Sequence, residues 1–106
     1  MANNEGLPLS EIDTAIGERS RGQLAQQVVD SQVYQDAFLG IKAQILFDLE
    51  RTKFSETDVR DECWRKLQTL GRLKAQFDSV MTTGKVASQK ISMLQKAKNT
   101  VRTVMG

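Results

Sequence analysis

The stretch Val59-Arg60-Asp61-Glu62-Cys63-Trp64-Arg65-Lys66-Leu67-Gln68-Thr69-Leu70-Gly71-Arg72-Leu73-Lys74-Ala75-Gln76-Phe77-Asp78-Ser79-Val80-Met81 decides the fold class. Val59, Cys63, Leu67, Leu70, Phe77 and Val80 follow one another at intervals of three, four or seven residues. A helix gathers such positions into one apolar stripe, and Trp64, Leu73 and Met81 widen it. Acid precedes base at i, i+4 in Glu56–Arg60, Asp61–Arg65 and Glu62–Lys66, each pair adding about 0.3 kcal/mol to the exposed side. The acids also crowd the first turns, where the positive end of the helix dipole lies. Ser55 and Asp58 have capping-box spacing. The prediction is a helix over 57–83, roughly 40 Å long at about 1.5 Å per residue, with Thr82-Thr83-Gly84 as its stop or kink.

Working outward, Thr52 to Thr57 is a short polar break. Before it, Val33, Tyr34, Ala37, Phe38, Ile41, Ile45, Leu46 and Leu49 repeat the i, i+3, i+4 pattern behind an Asp30 or Ser31 cap. Two long helices joined by so short a segment pack as antiparallel neighbours. Gly40 and Gly71 sit inside them, at about 1 kcal/mol each relative to Ala, and a close helix crossing is one reason to keep them. Further upstream, Ser10 caps a helical stretch with Ile12, Ala15 and Ile16 on one side; Gly17 and Gly22 weaken it, with a break expected near Arg21. Met1 to Leu9, with Asn3, Asn4, Gly6 and Pro8, reads as an extended arm that Leu7 and Leu9 could pin. Downstream of Gly84, Ala87, Ile91, Leu94, Ala97, Val101 and Val104 share the face of a last helix.

The expected architecture is all-α: three to four helices centred on a long antiparallel helical hairpin, with an extended N-terminal arm. Residues 1–9 form the arm, 10–83 the helical body and 84–106 a basic C-terminal helix. The chain of 106 residues is 40% hydrophobic with a single Pro and few aromatics, a composition suited to one helical domain. No period-two alternation or solenoid-length repeat competes with that assignment.

Charge is segregated. Lys85, Lys90, Lys96, Lys98 and Arg102 stand in the last 23 residues with no acid among them, while all 13 Asp/Glu precede Gly84. A basic end on a slightly acidic body drives association with an acidic protein surface or with phosphate. If all five cations met phosphate, log K would fall with log salt at a slope of about −4 to −5. Specific DNA reading lacks aromatic interleaving, helix-turn-helix spacing and an Arg cluster at a helix start. The absence of an apolar run near 18 residues, and of a basic-then-apolar leader, points to a soluble chain or one embedded in an assembly, with no membrane partner.

Catalytic chemistry finds little purchase. The chain has no histidine, which removes the commonest general base and metal ligand. Cys63 is the only cysteine; it lies on the apolar stripe with no base to make it a thiolate, so packing is its expected role. Asp58, Asp61 and Glu62 read as a solvated, dipole-compensating helix start rather than a metal or acid–base cluster. No phosphate loop or nucleophile elbow is present. No catalytic, metal or cofactor-binding residue is assigned, and no cofactor is expected.

The run Arg60-Asp61-Glu62-Cys63-Trp64-Arg65-Lys66-Leu67-Gln68-Thr69-Leu70, followed by Gly84-Lys85-Val86-Ala87 and preceded by Gln32-Val33-Tyr34-Gln35-Asp36-Ala37-Phe38, resembles small helical proteins from the structural gene modules of tailed bacteriophages. The resemblance covers about two-thirds of the chain and its motif is loose. It implies a virion or head-assembly context, with host cytoplasm as the place of assembly, and supplies no activity. The expectation is a non-enzymatic virion structural or head-assembly protein that contacts other virion proteins and itself through helices. Phe38, Ile41, Ile45, Trp64, Leu67, Leu70 and Phe77 are the expected core or interface; Lys85, Lys90, Lys96, Lys98 and Arg102 the expected partner-binding set. Two alternatives stay open: a DNA-binding packaging factor similar in role to terminase small subunits, and a transient scaffolding protein whose basic C-terminal helix binds coat protein.

Overall fold

The computed structural model describes the backbone of residues 2–105 and the side chains of residues 10–100. It contains three helices, α1 (Ala2–Asp30), α2 (Gln32–Glu50) and α3 (Thr57–Met105), and no strand among the described residues. The protein is all-α. Two compact units divide it: Gln27–Asp78, and Met1–Gln26 together with Ser79–Gly106.

Ser31 separates α1 from α2 by leaving the helical region (φ −71°, ψ 140°). Its hydroxyl accepts from the Tyr34 N–H at 3.2 Å and donates to the Val28 carbonyl at 2.6 Å. One serine therefore satisfies a free donor of α2 and a free acceptor of α1, which is why a single residue suffices as linker. At the other end of α2, the Arg51 N–H donates to the Phe47 carbonyl at 3.2 Å, and the Thr52 hydroxyl to the Asp48 carbonyl at 2.8 Å.

The start of α3 is where it was expected, at Thr57, but its cap differs. Glu56, not the Ser55–Asp58 pair, closes the turn: its carboxylate accepts the Lys53 N–H at 3.0 Å, and its own N–H donates to the Lys53 carbonyl at 2.9 Å. The longer glutamate reaches back across the turn, which the serine cannot do from its position. Among the described residues, Glu62–Arg65 at 3.6 Å (i, i+3) is the ion pair on this helix start, in place of the three i, i+4 pairs. Arg60 instead donates to the Phe54 carbonyl at 3.0 Å.

Within Gln27–Asp78, α2 and the N-terminal half of α3 form the antiparallel hairpin. Ile45, Cys63 and Leu70 are its buried residues, and the Tyr34 ring meets Phe77 edge-on with centroids 5.2 Å apart. Leu67, Phe38 and Phe77 are half-buried.

The other unit pairs the N-terminal part of α1 with the C-terminal part of α3. Ala15, Ala87 and Ile91 form its core cluster, at 1%, 3% and 7% exposure. Gly22 and Gly84 lie against each other so closely that a Cβ on either would come within 2.8 Å of the other's Cα. This corrects two expectations. Gly22 does not break α1 near Arg21, and Thr82-Thr83-Gly84 does not end α3; residues 84–106 are not a separate helix. No described glycine has positive φ. Gly84 is used for close approach of two backbones, so its missing side chain serves packing rather than a left-handed helix end. The extended arm at 1–9 is likewise corrected: α1 begins at Ala2 and continues through Pro8. The side chains of Leu7 and Leu9 lie outside those described.

Candidate functional site

The hairpin unit carries large apolar side chains that its two helices do not cover. Ile41 and Trp64, expected in the core or at an interface, are 54% and 55% exposed. Two helices side by side bury only the residues between them, so positions at the edge of each stripe stay in solvent. Ile45 and Leu70 occupy the seam as expected.

Ile41, Ile45, Leu70 and Leu73 floor an open groove of about 790 Å³ on one side of the hairpin, with Asp48, Glu62, Arg65 and Lys66 at its charged end. A second groove, about 300 Å³, is built around Tyr34, Phe38, Leu39 and Phe77, with Lys74 and Asp78 at its rim. Tyr34 and Phe38 stack with centroids 6.0 Å apart and planes tilted by 31°. Aromatic rings in this arrangement offer both faces and edges to an incoming apolar group.

The last turn of α2 and the segment that follows it hold two further exposed rings, Phe47 and Phe54, at 50% and 91%. Each is covered on one face by a guanidinium: Arg51 lies 5.2 Å from the Phe47 centroid and Arg60 lies 5.5 Å from that of Phe54. Arg60 also donates to the Phe54 backbone carbonyl, and a cation–π contact at such exposed sites adds an attraction of about 0.5–1 kcal/mol. The sequence reading passed over Phe47 and Phe54. An arginine four or six residues after a phenylalanine at a turn was the available signal.

The basic residues do not converge. Lys85 lies beside the Gly22–Gly84 crossing, in a groove that also holds Arg19. Lys90 is 3.9 Å from Glu11, both side chains at least half exposed, a surface pair of small energetic weight. Lys96 and Lys98 are exposed. Arg102 lies outside the described side chains. Helical spacing puts Lys85 and Lys96 on one face and Lys90 and Lys98 on others, so they make a diffuse positive field rather than a pocket.

Cys63 is 3% exposed, within the hairpin seam. Asp58 stands in the first turn of α3, where it faces the helix's free N–H groups. Among the described residues, no cluster of three or more His, Cys, Asp or Glu is placed to hold a metal ion. No helix among them is long and apolar enough to cross a membrane. Comparison of the chain with protein-family models, curated proteins and solved structures gives no match.

The arrangement can therefore do one kind of chemistry well, which is to present apolar side chains at fixed positions on rigid helices. Leu39, Trp64 and Phe54 are each more than half exposed.

Proposed function

We propose that this chain is a non-enzymatic structural or head-assembly protein of a tailed-bacteriophage virion, working through helix-mediated contacts with copies of itself and with other virion proteins. The observation that carries the reading is the uncovered apolar surface of the hairpin unit, where Trp64 is 55% and Phe54 91% exposed. Exposed apolar patches on rigid elements are where protein partners dock. The resemblance of Arg60–Leu70 and Gly84–Ala87 to phage structural-module proteins supplies the context. Lys85, Lys96 and Lys98 favour an acidic partner surface and would speed encounter with it.

The test is a mass-spectrometric inventory of purified mature particles and of procapsids, with stoichiometry. Retention in mature particles at fixed copy number is the expected result. Presence in procapsids alone would assign the chain to scaffolding. Absence from both, with duplex-DNA binding whose log K falls steeply with log salt, would replace this reading by a packaging factor.

A further inference from the structure

Charge divides between the two units. Residues 1–26 and 79–106 hold seven Lys/Arg against four Asp/Glu, whereas Gln27–Asp78 holds eight against nine. In the first of these units, a groove of about 220 Å³ runs beside the Gly22–Gly84 crossing. Arg19, Gln23 and Gln26 of α1 line it on one side, and Met81, Lys85 and Ser88 of α3 on the other. Five of those six side chains carry hydrogen-bond donors, two are cations, and none is an acid. Arg19 and Gln26 are half-buried. Among the described residues the ion pairs are Glu62–Arg65 and Glu11–Lys90, so neither Arg19 nor Lys85 is neutralised by an acid there. Glu18 adjoins Arg19 in sequence but, at about 100° per residue, falls on the other side of the Gly22 line and outside the groove.

The groove opens onto a longer stripe. Lys96 follows Lys85 by eleven residues, and Ser88 and Ser92 lie between them on the same face of α3. All four are exposed. Eleven residues span about 16 Å of helix, too long for one small anion.

We propose that this groove and its stripe bind the phosphate backbone of a nucleic-acid duplex, Arg19 and Lys85 gripping one phosphate and Lys96 meeting another. The site lies on the other unit from the hairpin surface and does not depend on the virion reading.

Positive charge alone attracts any anionic surface; the donors decide what stays. Backbone contacts to nucleic acid come from Arg, Lys, Ser and Gln side chains, the types gathered here. Protein–protein interfaces are instead depleted in Lys and Ser and close around an apolar centre, for which the groove offers Met81 alone. A carboxylate has two oxygens with about four lone-pair sites, and the Arg19 fork alone can fill two of them. Five donor side chains suit the more numerous oxygens of a phosphate chain. No aromatic ring lines the groove, so the stacked bases of a single strand have no platform. Glycine on both sides of the crossing draws the helices together, which lets long side chains from each reach the same phosphate.

Anisotropy of a labelled mixed-sequence DNA duplex, titrated with the purified full chain over a range of salt concentrations, tests this. The expected result is sequence-independent binding whose log K falls with log salt at a slope of about −3, one unit for each of three cations. Arg19→Gln and Lys85→Gln should each flatten that slope by about 1 and keep the helical circular dichroism. Lys98→Gln removes the same charge from the same helix, about 140° around from Lys85, and should leave the slope unchanged. Failure to bind duplex at low salt would overturn the proposal. So would a Lys98→Gln variant whose slope flattens as much as that of Lys85→Gln, since net charge would then explain the binding. Poly-glutamate that displaces the duplex as well as unlabelled duplex does would assign the groove to an acidic protein, and tighter binding of a single strand would also overturn the proposal. Duplex binding by a chain absent from particles removes the virion reading alone; a chain found in particles that binds no duplex removes this site alone.

Discussion

Where α1 meets the C-terminal half of α3, the contact is made mostly by residues with almost no side chain, Ala15, Gly22, Gly84 and Ala87, with Ile91 beside them. Where α2 meets the N-terminal half of α3, it is made by Ile45, Cys63 and Leu70, with the rings of Tyr34 and Phe77 in edge contact at 5.2 Å. The first is a backbone-to-backbone crossing and the second a layer of side chains. The two respond differently to added bulk. A crossing with glycine on both sides has no room, since neither backbone can retreat without moving its helix. A side-chain layer between two helices leaves grooves along its edges, and apolar residues are stranded there. It follows that rigidity and stickiness are divided between the two units.

Bulk is the sharpest way to break that comparison. Gly84→Leu should cost about 3 kcal/mol or more, because the new side chain meets the Gly22 Cα and the Glu18 carbonyl rather than another flexible chain. Urea unfolding followed by helical circular dichroism measures it; a midpoint equal to the parent's would mean that the glycines do not cross as described. Ile45→Ala, in the side-chain layer, should cost about 2–4 kcal/mol, its cavity softened by the adjoining groove. A cost below that of an exposed substitution would remove Ile45 from the seam.

A smaller effect separates capping from packing. Ser31→Ala deletes the acceptor for the Tyr34 N–H and should lose about 1 kcal/mol, with Ser31→Asp largely restoring it. The smallest change carries the opposite sign. Gly40→Ala adds a Cβ where nothing lies within 4 Å and should gain up to about 1 kcal/mol. A loss at Gly40 would show that this glycine, like Gly84, is pressed against a neighbour.

Much of the fold could be read from periodicity and caps. The apolar spacing from Val33 to Leu49 and from Val59 to Val80 located the hairpin, and Ser31 and Thr57 marked helix starts that the structure keeps. Ile45, Cys63 and Leu70 were placed on the buried stripe correctly. Ile41 and Trp64, expected in the core or at an interface, stand exposed at the edges of their stripes, because a stripe drawn from spacing has no width limit. How far burial extends around a helix depends on how many neighbours it has, and in the hairpin each helix has one facing partner.

The interaction surface was less legible. Phe47 lies off the apolar stripe of α2 and Phe54 stands in the turn after it, so neither gave a periodic signal, and the Arg60 cover of Phe54 depends on the turn's geometry. The basic residues were visible as a cluster in sequence, yet a helix distributes Lys85, Lys90, Lys96 and Lys98 around its circumference. Lys90 moreover stands opposite Glu11, which no local pattern could have supplied.

By itself, the order of amino acids determined that this protein is helical, where α2 starts and ends, where α3 begins, and which residues face inward along the hairpin. These follow from backbone propensity, hydrogen-bond capping and a 3.6-residue repeat, all of which act within a few residues of one another. Only the tertiary structure decided whether Gly22 and Gly84 end helices or let them touch, and which of the apolar residues remain in water. Both questions turn on a neighbour far along the chain, 62 positions for Gly22 and Gly84 and 43 for Tyr34 and Phe77, and a local pattern holds no record of it.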